Sequence, residues 1–253
     1  MKVEVLNRRT ILPSLILILF TGLICLGQNS YKSVEFESTD GLLISGELYP
    51  AEAPNATLIL LFHQAGYSRG AYREIAPKLQ QLGYHCLAID QRSGKGVKGI
   101  DNETFKRAEK AEKPTKYLDA LPDLEAAYQY GRQNFKSSKI ILWGSSYSAS
   151  LSIYLASQLG NDIKGLIAFA PGEYFEINGL KLAQYAKDIQ CKVFITSAKS
   201  EHENWENIYQ QVNTDKSYFL PKGEGKHGSK ALWAESPEHE AYWSALENFL
   251  KTL

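Results

Sequence analysis

The sequence predicts a mainly parallel α/β sheet, doubly wound with helices on both faces, and three observations carry that prediction. Short, continuously apolar runs rich in β-branched residues recur along the chain, each followed by a segment of helical period. Unbroken hydrophobicity marks strands covered on both faces rather than half-exposed ones. Strand and helix in alternation require crossover connections, and so parallel strands. The exception is the beginning, where Val34-Glu-Phe-Glu37 and residues 42–49 flank Thr39-Asp-Gly41 and read as an antiparallel opening hairpin.

The strands that follow are expected at 57–62, 84–89, 139–143, 165–169, 192–196 and 217–220. Between the first two, Tyr72, Ile75, Ala76 and Leu79 repeat at i, i+3, i+4 and i+7, and Gly83 ends the helix. A second helix starts near Pro122, since proline suits a first turn, and runs to about Gln133. A third covers 147–159, and a fourth includes Trp205, Ile208, Tyr209 and Val212. The last places Tyr242, Ala245, Leu246, Phe249 and Leu250 on one face. The Lys-, Glu- and Gly-rich stretch 91–116 reads as the longest loop, and its Lys95, Lys98, Lys106 and Arg107 as a solvated face.

Ahead of the first strand the chain changes character. Lys2, Arg8 and Arg9 precede an apolar run from Ile11 to Leu26, shorter than the roughly 20 residues a crossing needs. A basic start, an apolar middle and small residues before a polar junction describe an export signal over 1–27, cut between Gly27 and Gln28. Cys25 and Gly27 take the −3 and −1 positions of that cut, and Ile24 is not the small residue that lipidation of Cys25 would need. The expected product is a single domain, 28–253, placed in the periplasm or outside the cell and without stable membrane insertion. The chain as given balances 28 basic against 28 acidic residues, and loss of the leader leaves 25 against 27. With no basic surplus, a nucleic-acid partner is not expected. Three cysteines make no disulfide scaffold, and no C-x-x-C pair points to zinc. Cys86 and Cys191 both fall in apolar strand-like runs and are expected as free core thiols.

Chemistry concentrates in Ile140-Ile-Leu-Trp-Gly-Ser-Ser-Tyr-Ser-Ala149, a buried strand leading through Gly144 and Ser146 into a helix. This is G-x-S-x-G with Ser148 in place of the last glycine. The motif needs small residues around the nucleophile because the turn is strained and the helix passes close by. A serine hydroxyl needs a base to take its proton, and the base needs a carboxylate to orient it. In the strand–turn–helix context the acid and then the histidine follow the serine. After the strand 192–196, Glu201 is the first carboxylate, with Glu203 as the alternative; Asp188 precedes that strand. Among the histidines beyond Ser146, His227 lies in the loop Gly223-Glu-Gly-Lys-His-Gly228, His202 sits beside the acids and His239 opens the last helix. Two backbone N–H groups must hold the oxyanion. Tyr147 supplies one, and Ala65 or Gln64, after the strand 57–62, the other.

Taken together, these segments resemble the α/β-hydrolase superfamily, in its dienelactone-hydrolase-like or serine-esterase branch. The resemblance runs from about Val34 to Leu253 through Thr39-Asp-Gly41, His63-Gln-Ala-Gly66, Ala88-Ile-Asp-Gln-Arg-Ser-Gly94, Gly144-Ser-Ser-Tyr-Ser148, Ser197-Ala-Lys-Ser-Glu201 and Lys226-His-Gly228. It implies Ser146 as nucleophile, Glu201 as acid, His227 as base, and Ala65 and Tyr147 as oxyanion donors. The family's usual His-Gly is here His63-Gln64. Gln64 and Tyr67 are the candidates for touching substrate, with Tyr147, Trp143, Tyr174, Phe175 and Trp205 as further aromatics near the site. The interval 171–190 leaves room for only a small lid. The implied activity is hydrolysis of a small carboxylic ester with no metal or organic cofactor. The same machinery suits amides or peptides, and a non-catalytic binding protein could keep the fold.

Overall fold

The computed structural model describes residue 1, residues 31–135 and residues 139–253. The expected leader and its cut at Gly27 lie, Met1 aside, outside the described residues. In chain order the elements are β1 (Lys32–Glu37), β2 (Leu43–Tyr49), β3 (Leu58–Phe62), α1 (Ile75–Gln81), β4 (His85–Ile89), β5 (Gly96–Val97), β6 (Ile100–Asp101), α2 (Glu103–Lys110), α3 (Leu121–Asn134), β7 (Ile140–Ser145), α4 (Tyr147–Leu159), β8 (Gly165–Phe169), α5 (Leu182–Ala186), β9 (Lys192–Thr196), α6 (His202–Gln211), β10 (Lys216–Phe219) and α7 (His239–Leu250).

Eight strands form one sheet in the order β1-β2-β4-β3-β7-β8-β9-β10. Strands β1, β2 and β4 pair antiparallel, and every pairing from β4 to β10 is parallel. The expected doubly wound sheet with an antiparallel opening hairpin is therefore the observed one. Alternate residues face two cores. Leu58, Leu60, Phe62, Ile140 and Leu142 pack with α3 and α4, while Ile59, Leu61, Ile141 and Trp143 pack with α1 and α7. A strand buried on both sides cannot alternate polar with apolar, so the runs are continuous in the sequence.

The stretch 91–116 is not the open loop expected of it. It holds the small β5–β6 hairpin and the helix α2. Asn102 caps that helix, its Oδ1 accepting the Phe105 N–H at 2.7 Å, a start signal that the surrounding charges obscure. Three of its four named cations are paired: Lys106 with Asp101 and Glu103, Arg107 with Glu35, and Lys98 with Glu74. This is the solvated face that the charge pattern suggests. Next to it, Arg92 is buried and forks between Asp123 at 2.7 Å and Asp40 at 2.7 Å. Its guanidinium holds the Asp40 carboxyl well below the usual carboxylate range, and it pins the opening turn and α3 to the loop after β4.

Cys86 and Cys191 are both buried and unpaired. Burial pushes the Cys191 thiol up to about 12 and the Cys86 thiol higher still, as expected of inert core thiols. Among the described residues no helix is long and apolar enough to cross a membrane.

Candidate active site

The parallel register lines up the strand ends. Phe62 pairs with Gly144, Ser145 with Phe169, Phe169 with Thr196, and Thr196 with Phe219. The residues leaving these ends, namely His63, Ser146, Ala170, Ser197 and Leu220, therefore emerge along one edge. From β3 the chain turns into α1 on one face, and from β7 into α4 on the other. The two connections diverge, opening the crevice where such sheets bind ligands.

Ser146 sits at this divergence with φ 61° and ψ −126°, and is nearly buried. Its amide donates to the Phe169 carbonyl at 2.7 Å, and its carbonyl accepts from Ala149 and Ser150, starting α4. A positive φ on a non-glycine residue costs energy and persists only where the surroundings enforce it. Gly144 is part of that enforcement, because a Cβ there would lie 2.4 Å from both Ala149 Cα and the Ser148 carbonyl oxygen. Ser148, at the place of the motif's second glycine, is fully buried. Its hydroxyl accepts the Ser145 N–H at 2.9 Å and reaches the Phe62 carbonyl at 2.8 Å, bracing β7 against β3.

Glu201 ends a 3-10 turn, Lys199–Glu201, just past β9. Its Oε1 lies 2.5 Å from His227 Nδ1, and its Oε2 accepts the Ala198 N–H at 3.1 Å. A carboxylate only accepts, so neutral His227 carries its proton on Nδ1 and leaves Nε2 as the basic nitrogen. The two loops are also tied through backbone, Lys199 N–H donating to the Glu224 carbonyl at 2.8 Å. Ser146 and His227 share no hydrogen bond among the described residues. Catalytic bonds of this type are often long before substrate arrives.

What holds the His227 loop against β7 is a buried hydroxyl chain. Ser145 Oγ accepts the Ser229 N–H at 2.9 Å, Ser229 Oγ accepts the Trp143 indole at 2.9 Å, and the Tyr72 hydroxyl donates to the Phe62 carbonyl at 2.6 Å. Gly228 lies between, at φ 72°, and a Cβ on it would come within 2.6 Å of Gln64 Oε1 and of Ser145 Oγ. Gly228→Ala is therefore expected to shift His227 and lower kcat by about 100-fold, the scale of a roughly 1 Å misplacement. It should also cost about 1–3 kcal/mol of stability, because φ 72° with ψ −170° is backbone essentially confined to glycine. Steady-state kinetics together with urea denaturation check both.

On the other side of Ser146, the N–H groups of Tyr147 and Ala65 have no protein acceptor among the described residues. Tyr147 opens α4, where amides lack an intrahelical partner. Ala65 follows His63, which is buried. His63 Nδ1 lies 2.8 Å from the Gln64 carbonyl, and its Nε2 accepts the Gln91 N–H at 3.0 Å. Burial lowers the His63 pKa to about 4, so the ring is neutral and braces the loop carrying Ala65. Gln91 Nε2 in turn donates to the Tyr147 hydroxyl at 2.9 Å, linking the loops after β3, β4 and β7.

The remaining sequence candidates divide. Gln64 lies against Gly228, beside the histidine loop. Tyr67 stacks on Trp233 at 6.0 Å and lines that same side. Glu203 is exposed on α6, and His202 packs on Trp205 at 4.6 Å. His239 starts α7. Trp143 and Trp205 are fully buried core residues. Tyr174 and Phe175 do line a cavity, and the Tyr174 hydroxyl donates to the carbonyl of Ala170, next to the Phe169 carbonyl that accepts the Ser146 N–H. The residue overlooked is Tyr117, which stacks on Tyr147 at 4.8 Å and also lines that cavity. It follows a charged stretch with no local motif to mark it. Among the described residues no group of three or more His, Cys, Asp or Glu side chains is arranged to hold a metal.

A family model described as serine aminopeptidase, S33, matches residues 53–214. The chain belongs to this family. It is a member of the α/β-hydrolase superfamily, and the family match covers Ser146 and Glu201 but ends before His227. A thiohydrolase, apmlB of Arthrinium phaeospermum, is 27% identical over 143 residues, 55% of this chain and 43% of that protein. The match thus spans less than half of that relative's length. Among solved structures, the esterase Pf2001 of Pyrococcus furiosus superposes with a TM-score of 0.66 at 22% identity, covering 88% of this chain and 92% of that one. A dienelactone hydrolase from Anabaena variabilis gives 0.67 at 15% identity, covering 86% and 94%. At these identities the S33 chain shares their fold.

Proposed function

We propose that this S33-family hydrolase is an exported carboxylesterase acting through an acyl-enzyme on Ser146. The leader 1–27 would direct its export. The observation that carries the reading is the 2.5 Å Glu201–His227 contact, set on the same sheet edge as the strained turn at Ser146. Ser146 Oγ attacks the ester carbonyl while its proton passes to His227 Nε2. The carbonyl electron pair moves onto oxygen, which the Tyr147 and Ala65 N–H groups receive. The C–O bond to the alcohol then breaks, and His227 returns the proton to the departing oxygen. Water, losing a proton to His227, attacks the acyl carbon and releases the acid and the Ser146 hydroxyl. Glu201 steadies the imidazolium formed in each half.

A second reading, amide or peptide cleavage by the same residues, draws support from the family's description. An aminopeptidase must receive the substrate's ammonium on a carboxylate. The carboxylate lining the cavity of Tyr174 and Phe175 is Asp119, which accepts the Lys116 N–H at 2.7 Å on one oxygen and keeps acceptor sites for such an ammonium. A fluorophosphonate probe on the purified protein tests the reading, with the modified residue located by peptide fragmentation. One adduct, on Ser146, is expected, together with turnover of a p-nitrophenyl ester. An unlabelled protein would be a binding protein on a hydrolase fold, and an adduct on Ser145 or Ser148 would move the nucleophile.

A further inference from the structure

Large aromatic and aliphatic side chains normally bury, and those left exposed in one group mark a contact surface. Tyr117 is 40% exposed, Leu118 38% and Tyr174 40%, and all three border a single cavity of about 510 Å³ with Phe175 and Ser93. The volume lies within the range of small-molecule pockets. The Tyr117 and Tyr174 rings stand 6.4 Å apart at 80°, forming a corner of two aromatic faces. Both rings are held. Tyr117 lies stacked on buried Tyr147, and the Tyr174 hydroxyl donates to the Ala170 carbonyl at 3.0 Å. Ala170 directly follows Phe169, whose carbonyl accepts the Ser146 N–H at 2.7 Å, which sets the cavity beside the turn at Ser146.

The position of this corner decides which part of an ester it takes. His227 belongs to the loop whose next residues, Ser229, Ala231 and Leu232, pack with Tyr72 and Trp143 on the α1–α7 side of the sheet. Phe175, which lines the cavity, and Tyr147, on which Tyr117 stacks, pack on the α3–α4 side. The leaving oxygen must depart toward the base that protonates it, so the acyl group lies on the opposite side of Ser146. We infer that the Tyr117–Tyr174 corner is the acyl-binding pocket and that it selects a planar aromatic acyl group, benzoyl- or cinnamoyl-like, over a flexible alkyl chain. A flat ring stacks on one face of the corner and meets the other edge-on, the two arrangements aromatic rings prefer. A rigid ring also loses less freedom on binding than an alkyl chain does.

The inference rests on the ester-hydrolase reading, and one experiment separates the two. Four p-nitrophenyl esters, acetyl, octanoyl, benzoyl and cinnamoyl, share a leaving group and differ only in the acyl part. The full protein is expected to show kcat/KM for cinnamoyl about tenfold above octanoyl. That ratio should fall by about fivefold in Tyr117→Leu and in Tyr174→Leu. It should hold in Tyr218→Leu, which removes a 52% exposed ring on the edge strand β10 instead. Competitive inhibition by trans-cinnamate stronger than by octanoate gives the same answer without any substitution. An octanoyl preference, or a ratio unmoved in both tyrosine variants, overturns the aromatic pocket and leaves the esterase standing. Failure to turn over any of the four, acetyl included, overturns both.

Discussion

Ser146→Ala is expected to lower kcat on a p-nitrophenyl ester by about 10⁴-fold or more and to abolish fluorophosphonate labelling. KM should change little, since the alanine variant keeps the cavity walls and the Tyr147 and Ala65 N–H groups proposed to receive the carbonyl oxygen. The residual rate would come from that binding and oxyanion stabilisation alone. Two companion variants make the result specific. Ser146→Gly should lose the same activity yet melt at a higher temperature, because φ 61° with ψ −126° is backbone that glycine adopts without strain. Ser145→Ala should still be labelled but turn over about tenfold more slowly, since it leaves the buried Ser229 N–H without its acceptor. A Ser146→Ala protein that keeps labelling at full rate, with Ser145→Ala silent, would transfer the role to Ser145.

These expectations depend on contacts of two kinds, and only one kind can be read from a linear sequence. The strands β3, β4, β7, β8 and β9 announce themselves because each is covered on both faces and carries an unbroken apolar run. Gly144 and Ser146 stand out because the turn between strand and helix restricts residue size locally. The order of Ser146, Glu201 and His227 then follows from where each strand ends. The supporting contacts are of the other kind. Ser145 meets Ser229, Gln91 meets Tyr147 and Tyr117 stacks on Tyr147, each across a separation that no periodicity or motif records. The helix α2 was hidden differently. Its charged face satisfies solvent and neighbours at once, through Lys106 to Asp101 and Arg107 to Glu35, so its composition is that of a loop. His63 illustrates both kinds. Its place before the Ser146 turn suggests a loop-organising role, yet only packing shows it deeply buried and neutral between Gln64 and Gln91.

Glu201→Gln is expected to lower kcat by about 10³- to 10⁴-fold, close to 5 kcal/mol in the barrier, while Glu203→Gln stays within about twofold of the parent. The size follows from what surrounds the carboxylate rather than from lost charge alone. Glu201 has two partners, the Ala198 N–H on one oxygen and His227 Nδ1 on the other. A backbone N–H can only donate, so in the variant the oxygen of the substituted amide must turn toward Ala198. The NH₂ group of that amide then faces Nδ1 and requires a lone pair there, which moves the imidazole proton to Nε2. In that tautomer His227 offers no basic nitrogen to Ser146, and no carboxylate remains to steady the imidazolium. Ala198→Pro removes the constraining N–H, and in the double variant with Glu201→Gln the amide is free to flip. Its oxygen can then accept from Nδ1–H, so the double variant should regain part of the rate lost in the single one. Fluorophosphonate labelling rates measure this directly, because they report nucleophile activation without a deacylation step. Equal losses in the single and double variants would remove the tautomer from the explanation, and a large loss in Glu203→Gln would move the acid to the exposed face of α6.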